Sequence, residues 1–215
     1  MREKRKIPIK SIPKFAILVD GECEYWYIQM LKRNEKVRHA NIEPQIPQRK
    51  KLSELYQKVI ELALHYDKVF WLIDLDVVIK ESKEKKKGNR RPLDELKQYV
   101  ETIAKNQENV TIIINNPCLE FWFLLHFEDT VLYYDNCSKV IRKLKNQPLV
   151  SDYNKSCNYF TNKNNDIYKR LKPLLKTAIV HSKKAKAFDF KNPCMGLSEM
   201  AQLFEIPELK SILKQ

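Results

Sequence analysis

Two short apolar runs in this sequence are each followed directly by closely spaced acids. Phe15 to Val19 leads into Asp20, Glu22 and Glu24, and Val69 to Ile73 leads into Asp74 and Asp76. Clustered carboxylates suit a hard divalent cation, because magnesium or manganese takes oxygen ligands and its charge offsets their mutual repulsion. A phosphodiester sharing that cation has charge stabilised on its attacking and leaving oxygens, and the bound water becomes more acidic. Alternation along extended backbone predicts that Asp74 and Asp76 point the same way and approach one ion. A third acid, Asp20 or Glu24, then completes the site as ligand or general base, or holds a second ion. Asp after a strand is also a common turn or capping residue, so a lone D-x-D decides little. Glu24 adds weight, because it falls on the helical stripe of Tyr27, Ile28 and Leu31 and so points toward something buried.

A second stretch, Asn116-Pro117-Cys118-Leu119-Glu120-Phe121-Trp122-Phe123-Leu124-Leu125-His126-Phe127, is apolar on nearly all sides, as expected for a buried helix. Glu120 sits in its first turn. It is either a capping or core-satisfied carboxylate or an accessory member of the acidic site. His126 has no second histidine at ligand spacing and reads as a hydrogen-bonded core residue.

These acids need a scaffold that brings strand ends together. Phe15–Val19, Val69–Ile73 and Val110–Ile114 are continuous apolar runs, which predict strands covered on both faces, and a weaker strand is expected near 41–46. Between them, helical spacing runs through Glu24 to Lys32, then Leu52, Leu55, Val59, Leu62 and Tyr66, and then Leu93, Leu96, Val100 and Ile103 behind Pro92. Strands alternating with helices indicate a parallel α/β sheet, whose functional crevice lies beyond the C-terminal strand ends. Helices are also expected over 138–145, 166–175, 177–188 and 197–204. The expected organisation is a basic N-terminal arm over 1–14, an α/β domain over 15–128, and a helical extension over 129–215 packed on it.

Across 215 residues, 40 Lys and Arg against 27 Asp and Glu leave a formal charge of +13, which favours polyanions such as DNA or RNA. The run from Lys80 to Arg91 follows directly on the acidic strand end. Lys83, Lys85, Lys86, Lys87, Arg90 and Arg91 are therefore candidate phosphate contacts on a loop, with Lys183, Lys184 and Lys186 a second candidate patch. A further basic run spans Lys139 to Lys145. Such runs are also commonly solvated loops. The aromatic cluster Tyr25-Trp26-Tyr27 suits either base stacking or core packing. Five cysteines are widely spaced with no C-x-x-C pair, which argues against structural zinc and for a reduced, cytoplasmic protein. No apolar stretch approaches the ~20 residues of a membrane span, so no membrane partner is expected.

The order strand, D-G-E-C-E, strand, D-L-D, strand, N-P-C-L-E-F-W-F-L-L-H-F resembles the RloB family, bacterial proteins associated with abortive phage infection and built on a Toprim-like domain. Asn192-Pro193-Cys194-Met195-Gly196-Leu197 matches a second Asn-Pro segment of that family. The family pattern after the first strand is usually Glu-Gly-Glu with a further Glu. Here Asp20 replaces the first Glu and the segment is one residue shorter, which leaves Glu22 and Glu24 as alternatives for the second acid. The resemblance implies a Toprim-like sheet with Asp74 and Asp76 as the acid pair, and a magnesium-dependent nuclease acting in anti-phage defence beside an AAA-type ATPase partner. The chain itself has no phosphate-binding loop ending in Lys-Ser or Lys-Thr. The rival expectations are a non-catalytic module that binds nucleic acid or a nucleotide signal, and nucleotidyl transfer without cleavage.

Overall fold

The computed structural model describes residues 12–37, 40–48, 51–86 and 90–214. Most of the expected basic arm, residues 1–11, and Lys87 of the basic run lie outside these. Five strands form one sheet: β1 (Lys14–Leu18), β2 (Asn41–Gln45), β3 (Lys68–Asp74), β4 (Val110–Asn116) and β5 (Leu197–Ser198). Their order is β2-β1-β3-β4-β5. The first four are parallel, and only β5 runs antiparallel, against β4. The parallel α/β expectation is met.

Alternation along the strands divides the core. Phe15, Ile17 and Val19 point to one face and Ala16 and Leu18 to the other. The second face is covered by α2 (Leu52–Ala63), α3 (Leu75–Glu84) and α4 (Pro92–Asn106). The first is covered by α1 (Glu22–Glu35) and α5 (Leu119–Leu125), and beyond them by helices of the C-terminal extension. Those helices are α6 (Cys137–Leu144), α7 (Cys157–Thr161), α8 (Ile167–Leu171), α9 (Leu175–Ser182) and α10 (Ala201–Glu205). Every residue of α5 is buried, which accounts for its unbroken apolar sequence.

Three expectations are corrected. The segment after Asp74 is helix rather than loop, because Leu75, Ile79 and Ser82 form a buried stripe that the surrounding lysines obscure. Ser82 Oγ accepts the amide of Leu93 at 2.8 Å and so ties α3 to α4. The helix expected over 177–188 ends at Ser182. Leu197–Ser198 is a short edge strand rather than the start of the last helix, since Asn115 and Asn116 pair with it and Ser198 Oγ donates to Asn115 Oδ1 at 2.7 Å.

The two Asn-Pro segments meet in space. Asn116 Nδ2 donates to the carbonyls of Met195 (2.7 Å) and Pro193 (3.3 Å), and the Asn116–Pro117 peptide is cis. Gly196 is packed so closely that a Cβ there would stand 2.3 Å from the Leu132 carbonyl oxygen and 2.6 Å from the Phe121 ring. The glycine of the second segment is thus required by contact with backbone and with the helix that follows the first.

Candidate active site

The chain leaves β1 toward β2 on one side and passes from β3 to β4 on the other. The direction of progression therefore reverses between β1 and β3, and a crevice opens at their C-terminal ends. Asp20 follows β1 and Asp74 ends β3, so the switch point carries an acid on each side. A cleft of about 590 Å³ lies there, lined by Asp20, Glu22, Glu24, Asp74, Asp76, Cys118, Cys137 and Lys155 among others.

Each acid is held differently. Asp74 is the residue before α3; its Oδ2 accepts the amide of Leu119 at 3.2 Å and its Oδ1 the Asn115 amide nitrogen at 3.3 Å. Burial, reinforced by Glu24, Asp20 and Glu120, holds its carboxyl well above the usual carboxylate range. Glu24 is 5% exposed in the first turn of α1. Burial, with repulsion from Glu120 and Asp20, pushes it up to about 7. Oε2 of Glu24 would stand only 3.2 Å from a Cβ at residue 21, so Gly21 leaves the room in which this carboxylate sits. Glu22 is exposed at the rim. Of the two alternatives, Glu24 is the one set against the other acids.

Asp76 lines the same cleft by a different route from the one expected. Helix α3 begins at Leu75, so Asp76 is reached through a helical turn and not by strand alternation. The amides of Leu75 and Asp76 both donate to the Pro117 carbonyl at 3.0 Å, and Asp76 Oδ1 accepts the amide of Val77 at 2.7 Å. The loop at the end of β4 thus anchors the start of α3.

Glu120 is fully buried behind the cleft. Its Oε1 receives the Tyr153 hydroxyl at 2.6 Å and the Lys155 ammonium at 2.8 Å. Neither Tyr153 nor Lys155 was marked by the sequence, because both lie in an irregular loop before α7 with no apolar period. Cys118 and Cys137 form a disulfide across a sequence separation of 19, which overturns the expectation of a fully reduced chain. Glu120 Oε2 lies 2.8 Å from Cys137 Sγ, a contact that becomes a hydrogen bond only in the dithiol form, since a disulfide sulfur carries no proton. Cys118, Glu120 and Cys137 bring ligand atoms within 4.8 Å of one another, but the disulfide engages both sulfurs. Burial, together with Glu120 and Glu24, pushes the Cys23 thiol up to about 12, so it is no ready nucleophile.

Asp20, Glu24, Asp74 and Asp76 line one cleft and offer only oxygen, the donor type a hard divalent cation takes, but among the described residues they do not form a group whose ligand atoms lie within 4.8 Å of one another, so closing on an ion would need side-chain rearrangement. His126 is a core residue: its Nδ1 lies 3.0 Å from the Trp122 carbonyl oxygen, and burial lowers it to about 4. Tyr27 is buried and its hydroxyl accepts from Trp122 Nε1 at 3.0 Å, so the aromatic cluster is at least partly core.

The basic candidates separate. Lys85 lines a neighbouring hollow that also includes Asp20 and Asp74, and Lys83 Nζ lies 6.0 Å from the centroid of the Tyr133 ring. Lys86, Arg90 and Arg91 are exposed near the end of α3 and the start of α4, and Arg90 donates to Gln98. Lys183 and Lys184 pair with Glu205 and Asp129, neither of which lines the acidic cleft, and Lys186 lies on the same segment.

Fold and site together define a mixed α/β protein with a carboxylate cluster at the switch point of a mostly parallel sheet. The chain belongs to the RloB-like protein family, whose family model matches residues 15–205. No curated protein and no solved structure matches it significantly. Among the described residues, no helix is long and apolar enough to cross a membrane.

Proposed function

We propose that this chain is a magnesium- or manganese-dependent, Toprim-like phosphodiester-cleaving effector acting on nucleic acid, in keeping with a role in anti-phage defence beside an ATPase partner. The observation that carries this reading is that Asp20, Glu24 and Asp74, from the end of β1, the first turn of α1 and the end of β3, share one cleft, in which burial and the neighbouring acids raise Glu24 and Asp74. A group of acids so arranged is costly without a cation and favourable with one. Asp20, Glu24, Asp74 and Asp76 would hold the ion, which supplies Lewis acidity to a phosphodiester and an acidified water. Asp74 is oriented by the Leu119 amide at the start of α5 and by the Asn115 side chain on β4, one to each carboxylate oxygen. Whichever of Asp20 and Glu24 does not ligate the ion would take a proton from an attacking water.

The test is calorimetric titration of the full chain with Mn2+, followed by incubation with end-labelled single- and double-stranded DNA and RNA. Metal binding with cleavage that Asp74→Asn abolishes is the expected result. Metal binding without cleavage of any of the four substrates favours the binding-module reading, and no metal binding overturns both the site and the chemistry.

A further inference from the structure

The acidic cleft contains one positive charge, and the sheet does not supply it. Among the described residues lining the cleft, Lys155 is the only base, delivered by the loop before α7. Its Nζ lies 2.8 Å from Glu120 Oε1 and 3.5 Å from Cys137 Sγ. The Lys155 side chain is 46% exposed while Glu120 is fully enclosed, so the ammonium reaches the cleft as well as the buried acid. Glu120 also has the Tyr153 hydroxyl as a second donor. An ammonium carries three protons, of which one meets Glu120 and another meets a sulfur, a weak acceptor. Donor capacity is therefore left on the cleft side.

A phosphate entering this cleft meets five acids, Asp20, Glu22, Glu24, Asp74 and Asp76, and among the described lining residues Lys155 alone opposes them. A cation held by Asp20, Glu24 and Asp74 neutralises part of that field, but the phosphate oxygens turned away from it still need a donor. We infer that Lys155 is a phosphate-binding residue of the carboxylate site, placed by Glu120 to hold a phosphate oxygen of a metal-bound substrate. This rests on the cleft being a metal-dependent phosphoryl site. Although burial works against its charge, attraction to Glu120, its hydrogen bond to Glu120 and the nearby Asp74 together raise its pKa, so the ammonium stays charged.

The test uses the full chain, Mn2+ and inorganic phosphate, with Lys155→Met and Lys155→Arg. Mn2+ binding is measured by calorimetry, and phosphate binding to the Mn2+-loaded protein by paramagnetic broadening of the phosphorus resonance. Wild type should bind both. Lys155→Met should keep Mn2+ affinity within about threefold and weaken phosphate at least about tenfold, the scale of one lost charge-assisted hydrogen bond. Lys155→Arg should restore part of that loss. If Lys155→Met fails to fold, Glu120→Gln/Lys155→Met removes the buried charge together with its partner, and the same phosphate comparison is made on it. Unchanged phosphate affinity with a lowered melting temperature overturns the inference and leaves Lys155 as a counter-ion of Glu120, with the metal site intact. A wild type that binds no Mn2+ overturns the metal-site reading, and this inference falls with it.

Discussion

The hydroxyl of Tyr153 donates to Glu120 Oε1 across 2.6 Å, joining a loop of the C-terminal extension to the buried helix that follows the sheet. Both residues are essentially sealed from solvent, at 1% and 0% exposure. A buried carboxylate needs its donors, because losing one leaves a desolvated charge less than fully compensated. Tyr153→Phe should therefore destabilise the chain by about 1.5–3 kcal/mol, the range for hydrogen bonds to charged groups. Urea denaturation checks this, and a loss below about 0.5 kcal/mol means that Lys155 alone satisfies Glu120.

The metal-free protein should lose stability as pH rises. Glu24 is raised from 4.5 to about 7, and Asp74 is raised as well. A raised carboxyl binds its proton more tightly in the folded chain, so its contribution is full below pH ~4.5 and is lost as pH climbs through about 7. Thermal melts between pH 5 and 8 should show a decline on the order of a few kcal/mol from this cluster. Saturating Mn2+ or Mg2+ should reverse the slope, since the cation favours the ionised acids. A melting temperature that is flat with pH and indifferent to metal contradicts the electrostatic account.

Asp74 and Asp76 should behave differently when neutralised. Asp74 is inside the cluster that repels it, so Asp74→Asn should raise the metal-free melting temperature at pH 8 by several degrees, while abolishing metal-dependent stabilisation. Asp76 stands at the rim on the first turn of α3, so Asp76→Asn should alter folding by no more than ~0.5 kcal/mol, while weakening metal binding. Circular dichroism and calorimetry on the two variants separate these outcomes. Equal metal affinity in Asp76→Asn and wild type would remove Asp76 from the ligand set.

The parts of the fold and site that were legible in the sequence are those with a local signal. Continuous apolar runs marked β1, β3 and β4, and the acids that follow β1 and β3 were readable because chain order places them at strand ends. Glu24 stood out through the stripe it shares with Tyr27 and Ile28. Helix α3 was missed because five lysines and two glutamates between Lys80 and Lys87 mask a buried stripe only a few residues long. The disulfide and the Tyr153–Glu120–Lys155 group were out of reach for a different reason. They depend on how the extension folds back over α5, and no periodicity spans sequence separations of 19–35 residues. The pairing of the two Asn-Pro segments is similar, because Asn116 and Met195 are 79 residues apart.

The last prediction concerns which basic surface meets nucleic acid. Lys85 lines a hollow shared with Asp20 and Asp74, and Lys83 sits beside Tyr133, whereas Lys183 and Lys184 are engaged with Glu205 and Asp129 away from the cleft. A phosphate backbone that reaches the acids should therefore pass the end of α3. Each phosphate contact contributes ~0.9 to the slope of log affinity against log salt for duplex DNA, and ~0.7 for a single strand. Replacing Lys83, Lys85 and Lys86 with alanine should lower that slope by up to ~2–3 and weaken binding similarly across sequences, since phosphate contacts carry no sequence information. The corresponding triple change at Lys183, Lys184 and Lys186 should leave the slope within about 0.5 of wild type. Filter binding at several salt concentrations, with Asp74→Asn as background to prevent cleavage, measures both. If the second triple variant loses salt dependence and the first does not, the binding surface lies on the segment after α9, and the backbone must approach the acids from the side of the extension.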